Sequence, residues 1–253
     1  MSVALELFGQ TYLSPSRLNL WGNNQLLWFV RYGLNVKGKT SPNMALGTAV
    51  EAGLQTYFTT RETDEPHNHA MFIYNSEMFS RLEDEDVEAC RKKVFPMLDQ
   101  AIEGMKFIGA GTPKTFQRKV ECEIEGISIP MMGFTDFEWE DTLIDLKTTS
   151  AMPSKPKPEH LRQIAFYWKA TGKQPALLYV TPKKNNVYTP SNDELKWAWE
   201  ELVYLARSLE RALEGATSIS QLMAKYPANF GDYFWDDESR DAAKAELKKE
   251  GLL

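Results

Sequence analysis

Two aspartates placed to face one another across a short hairpin constrain this chain more than any other feature. Gly133-Phe134-Thr135-Asp136 is followed nine residues after its aspartate by Asp145-Leu146-Lys147-Thr148-Thr149. From Phe134 to Trp139 and from Thr142 to Thr148 the residues are mostly β-branched, aromatic or aliphatic, and Glu140-Asp141 separates them as a turn would. With those two residues as the loop, Asp136 falls directly opposite Asp145. Side chains alternate across a strand, so Asp145 and Lys147 emerge on one face and Ile144, Leu146 and Thr148 on the other. Opposed like charges destabilise a strand pair. A sequence that builds such a pair keeps it wet or fills the gap with a cation, and the pattern favours the cation.

The 253 residues, 43% hydrophobic, suffice for one large domain with a core of ordinary size. Met1 to Gln10 carries Glu6 and no cationic segment before an apolar run, and no stretch is apolar enough to span a bilayer, so a cytoplasmic protein is expected. Cys90 and Cys122 are too few for a disulfide framework or a thiolate cluster. The net charge of −6 argues at first against a polyanionic partner. Its distribution argues otherwise. Between Lys147 and Asn192 eight lysines and arginines face the single acid Glu159, which suits a basic groove on an acidic body.

Helices are expected over Arg17 to Tyr32, after the Ser14-Pro15-Ser16 cap, and from Ser41-Pro42 with a stripe of Leu46, Val50, Leu54 and Tyr57 that leaves Glu51 at its margin. Arg61 to Ala70 reads as a polar loop holding His67 and His69. Asp84 to Phe107 reads as a helix kinked near Pro96. Strands are expected from Phe116, with Glu121, Glu123 and Glu125 on one face, through the hairpin, and again over Ala176 to Val180 and Asn186 to Thr189. A helix from Glu159 to Thr171 ends at Gly172, and Asp193 to Glu214 forms a long amphipathic helix followed by a shorter one. Trp21, Trp28, Phe29 and Tyr32, like Trp197 and Trp199, have the spacing of core residues. This order implies an α/β fold, a mixed central sheet flanked by helices. It would be one domain over 1–253, with a core at about 41–190 and helical additions at 1–40 and 191–253.

An isolated Asp-x-Lys carries little information. Here Gly-x-x-Asp, Asp-x-Lys-Thr on the next strand, Gln163-x-x-x-Tyr167 on the following helix and Gly47-Thr48-x-x-Glu51 upstream occur in order, and together they resemble the PD-(D/E)xK nuclease superfamily, most closely RecB-type and phage lambda-type exonucleases. The resemblance covers roughly Ser14 to Val180 and implies a restriction-endonuclease-like core. It makes Asp136 and Asp145 metal-binding carboxylates with the Leu146 carbonyl as a further ligand, Lys147 the catalytic lysine, and Glu51 the helix residue that completes the site. Many RecB-type members have histidine at the position of Glu51; glutamate makes the donor set all oxygen and favours one or two Mg²⁺ or Mn²⁺ ions. Gln163 and Tyr167 would order the site and touch DNA, and His160, three residues before Gln163, shares their helical face. Ser16 and Arg17 sit where related exonucleases hold a terminal phosphate. Thr135 replaces the proline that names the superfamily, and two cysteines cannot hold the iron-sulfur cluster of one RecB-like branch.

The implied activity is metal-dependent hydrolysis of DNA from its ends, in phage-type recombination, repair or degradation. The alternatives are an endonuclease on the same fold and a non-catalytic DNA-binding or recombination scaffold. Linear DNA ends are the expected partner, and a homo-oligomer or a single-strand-annealing or recombination partner is compatible with the sequence. Whether Lys147 acts as base or charge stabiliser stays open, because a nearby dication and nearby carboxylates shift its pKa in opposite directions.

Overall fold

The computed structural model describes residues 4–60, 64–108, 111–232 and 234–253. Helices α1 (Ala4–Leu7), α2 (Pro15–Asn23), α3 (Gln25–Trp28), α4 (Pro42–Thr60), α5 (Glu65–Glu77), α6 (Glu85–Arg91) and α7 (Val94–Ile108) precede strands β1 (Thr115–Cys122), β2 (Met131–Glu138) and β3 (Thr142–Thr148). Then come α8 (Pro158–Thr171), β4 (Gln174–Val180), β5 (Asn185–Tyr188), α9 (Asn192–Leu213), α10 (Ile219–Met223) and α11 (Asp237–Lys249). The strands form one sheet in the order β1-β2-β3-β4-β5. β2 and β3 are antiparallel, β3 and β4 parallel, β4 and β5 antiparallel. The parallel pair needs a crossover, and α8 supplies it. This is the mixed sheet flanked by helices that the sequence implied. No described helix is long and apolar enough to cross a membrane.

The chain divides into two compact units, one of Met1–Lys39, Val120–Gly133 and Lys196–Leu253, the other of Thr40–Lys119 and Phe134–Leu195. The second has a core in which Leu46, Val50 and Leu54 of α4, Tyr74 of α5 and Leu98 of α7 pack with Phe137, Ile144, Leu146, Leu178 and Val180 of the sheet. Helices α4 and α5 approach closely at Gly53, where a Cβ would lie 2.8 Å from Leu98 Cδ2, 2.9 Å from Ala70 Cβ and 2.9 Å from the Pro66 carbonyl oxygen. Gly53→Ala should therefore cost about 1–3 kcal/mol despite the better helix propensity of alanine; a denaturant midpoint at or above that of the wild type would contradict this packing. The first unit is built on edge-to-face aromatic contacts of Trp21 with Trp28 and Tyr226, and on an ion pair of Arg31 with Asp236 at 2.6 Å.

Several sequence expectations need correction. The helix expected over Arg17 to Tyr32 breaks at Asn24, whose side chain turns back to accept from the Leu27 N–H, and it ends in a π-turn over Phe29–Gly33. Tertiary contacts of the flanking aromatics hold segments too short to persist alone. His67 and His69 lie on α5, not in a loop, because Asp64-Glu65-Pro66 starts a helix that pattern reading missed; residues 61–63 of that expected loop fall outside the described residues. The expected kink at Pro96 is a break at Lys92-Lys93, and Pro96 sits in the first turn of α7, where its missing N–H costs nothing. β1 ends at Cys122, so Glu123 and Glu125 are off the strand. Trp21, Trp28 and Phe29 are buried, whereas Trp197 is 66% exposed.

Candidate active site

The β2–β3 register pairs Phe137 with Ile144 and Glu138 with Leu143, and one further step of the same register sets Asp136 opposite Asp145. Trp139 N–H donates to the Thr142 carbonyl at the turn. Hydrogen-bonded pairs alternate in an antiparallel ladder, so the Leu146 N–H would next be due to bond the Thr135 carbonyl. It donates instead to Asp136 Oδ2 at 2.9 Å. The strands thus part at the site, and the carboxylate takes over a ladder bond. On the other strand Asp145 is 0% exposed, and Lys147 Nζ lies 2.7 Å from its Oδ2. Neither Asp145 oxygen accepts a well-directed hydrogen bond among the described residues, so its compensation is charge contact with Lys147 alone.

Glu51 arrives from α4. A Cβ on Gly47 would lie 3.2 Å from Thr148 Oγ1, so glycine lets the helix cross the end of β3, and Glu51 follows one turn later. Gln55 Nε2 donates to Glu51 Oε1 at 3.0 Å, and Gln117 of β1 donates to the same oxygen. Gln117 holds φ at +47°, a left-handed conformation that costs a non-glycine residue about 1–3 kcal/mol. Neither glutamine was singled out in the sequence. Gln55 lies one helical turn from Glu51, a signal that could have found it, whereas nothing local marks a strained residue far away in the chain.

Burial, then repulsion from Asp145 and Glu51, holds Asp136 well above the usual carboxylate range. Burial also raises Asp145, and it raises Glu51 against the opposing Gln117 hydrogen bond. For Lys147 burial pulls downward, but Asp145, Asp136 and Glu51 outweigh it and the net shift is upward. Three carboxylates around one ammonium make a site short of positive charge.

Lys147 is anchored on its other side. Nζ donates to Gln163 Oε1 at 3.0 Å, Gln163 Nε2 donates to the Tyr167 hydroxyl at 2.9 Å, and that hydroxyl donates to the Phe134 carbonyl at 2.6 Å. One relay on α8 therefore ties the lysine of β3 to the middle of β2. Tyr167→Phe should leave the fold intact but free Gln163 and the Phe134 carbonyl, with a loss of about 1 kcal/mol in stability. A denaturant midpoint equal to that of the wild type would show that the relay contributes nothing to the fold. His160 Nδ1 shares a hydrogen bond with the Tyr179 hydroxyl at 2.8 Å. Burial, with Lys147 and Lys157 nearby, pushes the His160 pKa down to about 3, so it is neutral.

The structure thus brings together Glu51, Asp136, Asp145, Leu146, Lys147, Gln163 and Tyr167, with His160 beside them. Ser16 and Arg17 belong to the other compact unit. There Arg17 Nη1 donates to Gln10 Oε1 at 3.0 Å and to the Tyr12 carbonyl at 2.8 Å, while the guanidinium lies over the Tyr12 ring. Ser16 Oγ shares a hydrogen bond with Ser14 Oγ.

Among the described residues no three carboxylate, histidine or cysteine groups stand gathered at ligating distance as the side chains are placed. Lys147 occupies the position against Asp145 that a cation would take. The residues nevertheless fit a hard divalent ion. Asp145 has buried oxygens that accept no directed hydrogen bond, the three carboxylates lack positive charge, and the donors are all oxygen. His67 and His69 are engaged elsewhere, with Asp99 and Thr56.

Just outside this site sequence reading missed Glu138. It is 2% exposed, and Arg118 Nε and Nη2 donate to its two oxygens at 2.7 Å each, Lys173 Nζ lies at 2.7 Å, and Thr135 Oγ1 donates at 3.2 Å. Burial opposes its ionisation, but the Arg118 and Lys173 bonds prevail and lower its pKa.

Comparison with known proteins agrees with this geometry. The family model described as the PD-(D/E)XK nuclease superfamily matches residues 12–232. Among solved structures, a protein of Eubacterium rectale named "Putative exonuclease" superposes with a TM-score of 0.56 at 14% identity, covering 86% of this chain and 83% of that one. At that identity the likeness speaks for the fold. A second structure, SSO0001, covers 83% of this chain and 93% of its own at 15% identity, and its TM-score of 0.36 carries no argument. No curated protein matches the chain. With the match running through both strands, α4 and α8, the chain belongs to the PD-(D/E)XK nuclease superfamily.

Proposed function

We propose that the chain is a divalent-metal-dependent DNA exonuclease that hydrolyses phosphodiester bonds from DNA ends in phage-type recombination, repair or degradation. The observation that carries this reading is the pair Asp136 and Asp145 on adjacent strands, with Glu51 beside them and Lys147 held between Asp145 and Gln163.

Glu51, Asp136, Asp145 and the Leu146 carbonyl would hold Mg²⁺ or Mn²⁺, which supplies Lewis acidity at the phosphate and lowers the pKa of the attacking water. The protein's own groups do the rest. Lys147, an ammonium fixed by Gln163, would orient that water and offset negative charge as the phosphorus accepts a fifth oxygen. Gln55 and Gln117 keep Glu51 turned inward. The Tyr167 hydroxyl fixes the backbone at Phe134, whose ring is 48% exposed two residues before Asp136 and so on the same strand face. A ring so placed suits stacking against an unpaired terminal base. End-directed action is favoured by a stacking surface beside the carboxylates and by the resemblance to RecB-type and lambda-type exonucleases.

The test is digestion of end-labelled linear and covalently closed circular DNA, single and double stranded, with Mg²⁺, Mn²⁺ or chelator. Mononucleotides or short products from linear DNA, with circles spared and chelator abolishing activity, are expected. Cleavage of circles at the same rate would replace the exonuclease by an endonuclease, and digestion in chelator would remove the metal assignment.

A further inference from the structure

A cavity of about 650 Å³ runs along α4 and α5 past Gln55, Thr56 and His69, but among the described residues the acids Asp64 and Glu65 line it and no lysine or arginine does. A second cavity, of about 490 Å³, has the opposite character. Ser150, Ala151 and Met152 of the segment after β3 form one side, and Thr181, Pro182, Lys183 and Lys184 of the turn after β4 form the other. Because β3 and β4 are parallel, with Thr148 paired to Val180, both strands end at this cavity.

The turn that presents the lysines is fixed. The nearly buried Thr181 Oγ1 accepts from the Lys183 N–H at 3.3 Å and the Lys184 N–H at 3.1 Å, and it donates to the Lys184 carbonyl at 3.0 Å. Opposite, the Thr149 N–H donates to the Val180 carbonyl at 2.9 Å, and Thr149 Oγ1 donates to the Ala151 carbonyl at 2.8 Å. Both backbones are thus internally satisfied, and the ammonium groups and the Ser150 hydroxyl are left to face outward. Among the described residues neither lysine is ion-paired, in contrast to Lys114 with Glu140 and Lys173 with Glu138.

Resting on the nuclease reading above, we propose that this cavity is a phosphate subsite for the substrate strand, with Lys183 and Lys184 neutralising phosphates flanking the scissile one. Spacing supports it. Ser150 follows Lys147 by three residues, just past the end of β3, and Thr181 follows by two the residue Tyr179 that pairs with Lys147, so both sides of the cavity continue from the strand ends beside the site. The chemistry suits that role: two flexible point charges and a hydroxyl give attraction to phosphate without base readout.

The experiment measures DNA affinity against salt concentration by fluorescence anisotropy, with Mg²⁺, in the Asp145→Asn background and with Lys183→Ala/Lys184→Ala added to it. The slope of log K against log salt should flatten by nearly two units on a duplex end, about 0.9 for each phosphate no longer neutralised. In the cleaving enzyme the double variant should raise KM about tenfold or more on long DNA and leave kcat and a dinucleotide substrate unaffected. Lys183→Arg/Lys184→Arg, which keeps the charge, should restore the slope and so separate phosphate binding from folding. An unchanged slope in the alanine variant, with wild-type cleavage intact, overturns the subsite alone. A flattened slope in a protein whose wild type cuts no DNA overturns the nuclease reading and leaves the subsite standing. If the substitutions alter only inhibition by inorganic phosphate, the cavity binds free anions and the proposal is wrong.

Discussion

Asp145→Asn should abolish cleavage, by on the order of 10³-fold or more, and at the same time raise the melting temperature of the metal-free protein. The loss follows from weakening the hold on the divalent ion that Asp145 would share with Glu51, Asp136 and the Leu146 carbonyl. The gain follows from burial. Asp145 is wholly inaccessible, its oxygens accept no directed hydrogen bond, and burial raises its pKa despite Lys147. A group whose folded pKa lies above its unfolded one contributes stability in acid and loses it as pH rises through the folded pKa, so at neutral pH the ionised form is a net cost. Asparagine keeps the shape and drops the charge. Relief of about 1 kcal/mol would shift the midpoint of a chain this size by about 2–4 °C. DNA affinity should hold or increase, because it draws on phosphate contacts elsewhere. Cleavage at the wild-type rate would refute the site; a lower melting point in chelator would mean that the Lys147 contact outweighs the burial.

Glu138→Ala should do the reverse, leaving the chemistry in place and destabilising the fold. The carboxylate is buried, and its removal leaves Arg118 and Lys173 facing one another without compensation, a situation worth about 3–5 kcal/mol for a buried pair and less here because Arg118 is partly solvated. The pH dependence has the opposite sign to that of Asp145. Its folded pKa is depressed, so its stabilising contribution is present above the unfolded value and disappears as pH falls through the folded one. The wild type should therefore lose stability in acid more steeply than Glu138→Ala. Denaturant midpoints of the two measured from neutral pH down into the carboxylate range would show it, and parallel curves would remove Glu138 from the set of stabilising ion pairs.

These two carboxylates show what pattern reading reaches. Asp145 was legible because its partners are local: alternation puts it on the face of Lys147, and a two-residue turn sets it opposite Asp136. Glu138 was not, because the residues that make its burial tolerable, Arg118 and Lys173, lie in separate elements and carry no spacing signal. The same contrast holds for Glu51, which the apolar margin of α4 exposed, and Gln117, whose backbone strain has no sequence signature. Helix α5 was missed because its polar sequence resembles a loop and it is held mainly by packing on α4 at Gly53. Trp197, read as core from helical spacing, is exposed because spacing gives a face and not what covers it.

The order of elements, the hairpin register and the grouping of Asp136, Asp145 and Lys147 are written in the chain itself, since period-two alternation and turn length act over a few residues. Folding in three dimensions was needed to rest Lys147 between Asp145 and a Gln163–Tyr167–Phe134 relay, to give the Leu146 N–H to Asp136, and to enclose a lysine-bearing cavity between two strand ends. Those features depend on groups distant in the chain meeting under shared burial, where hydrogen bonds and charges must be satisfied together and no local pattern records the outcome.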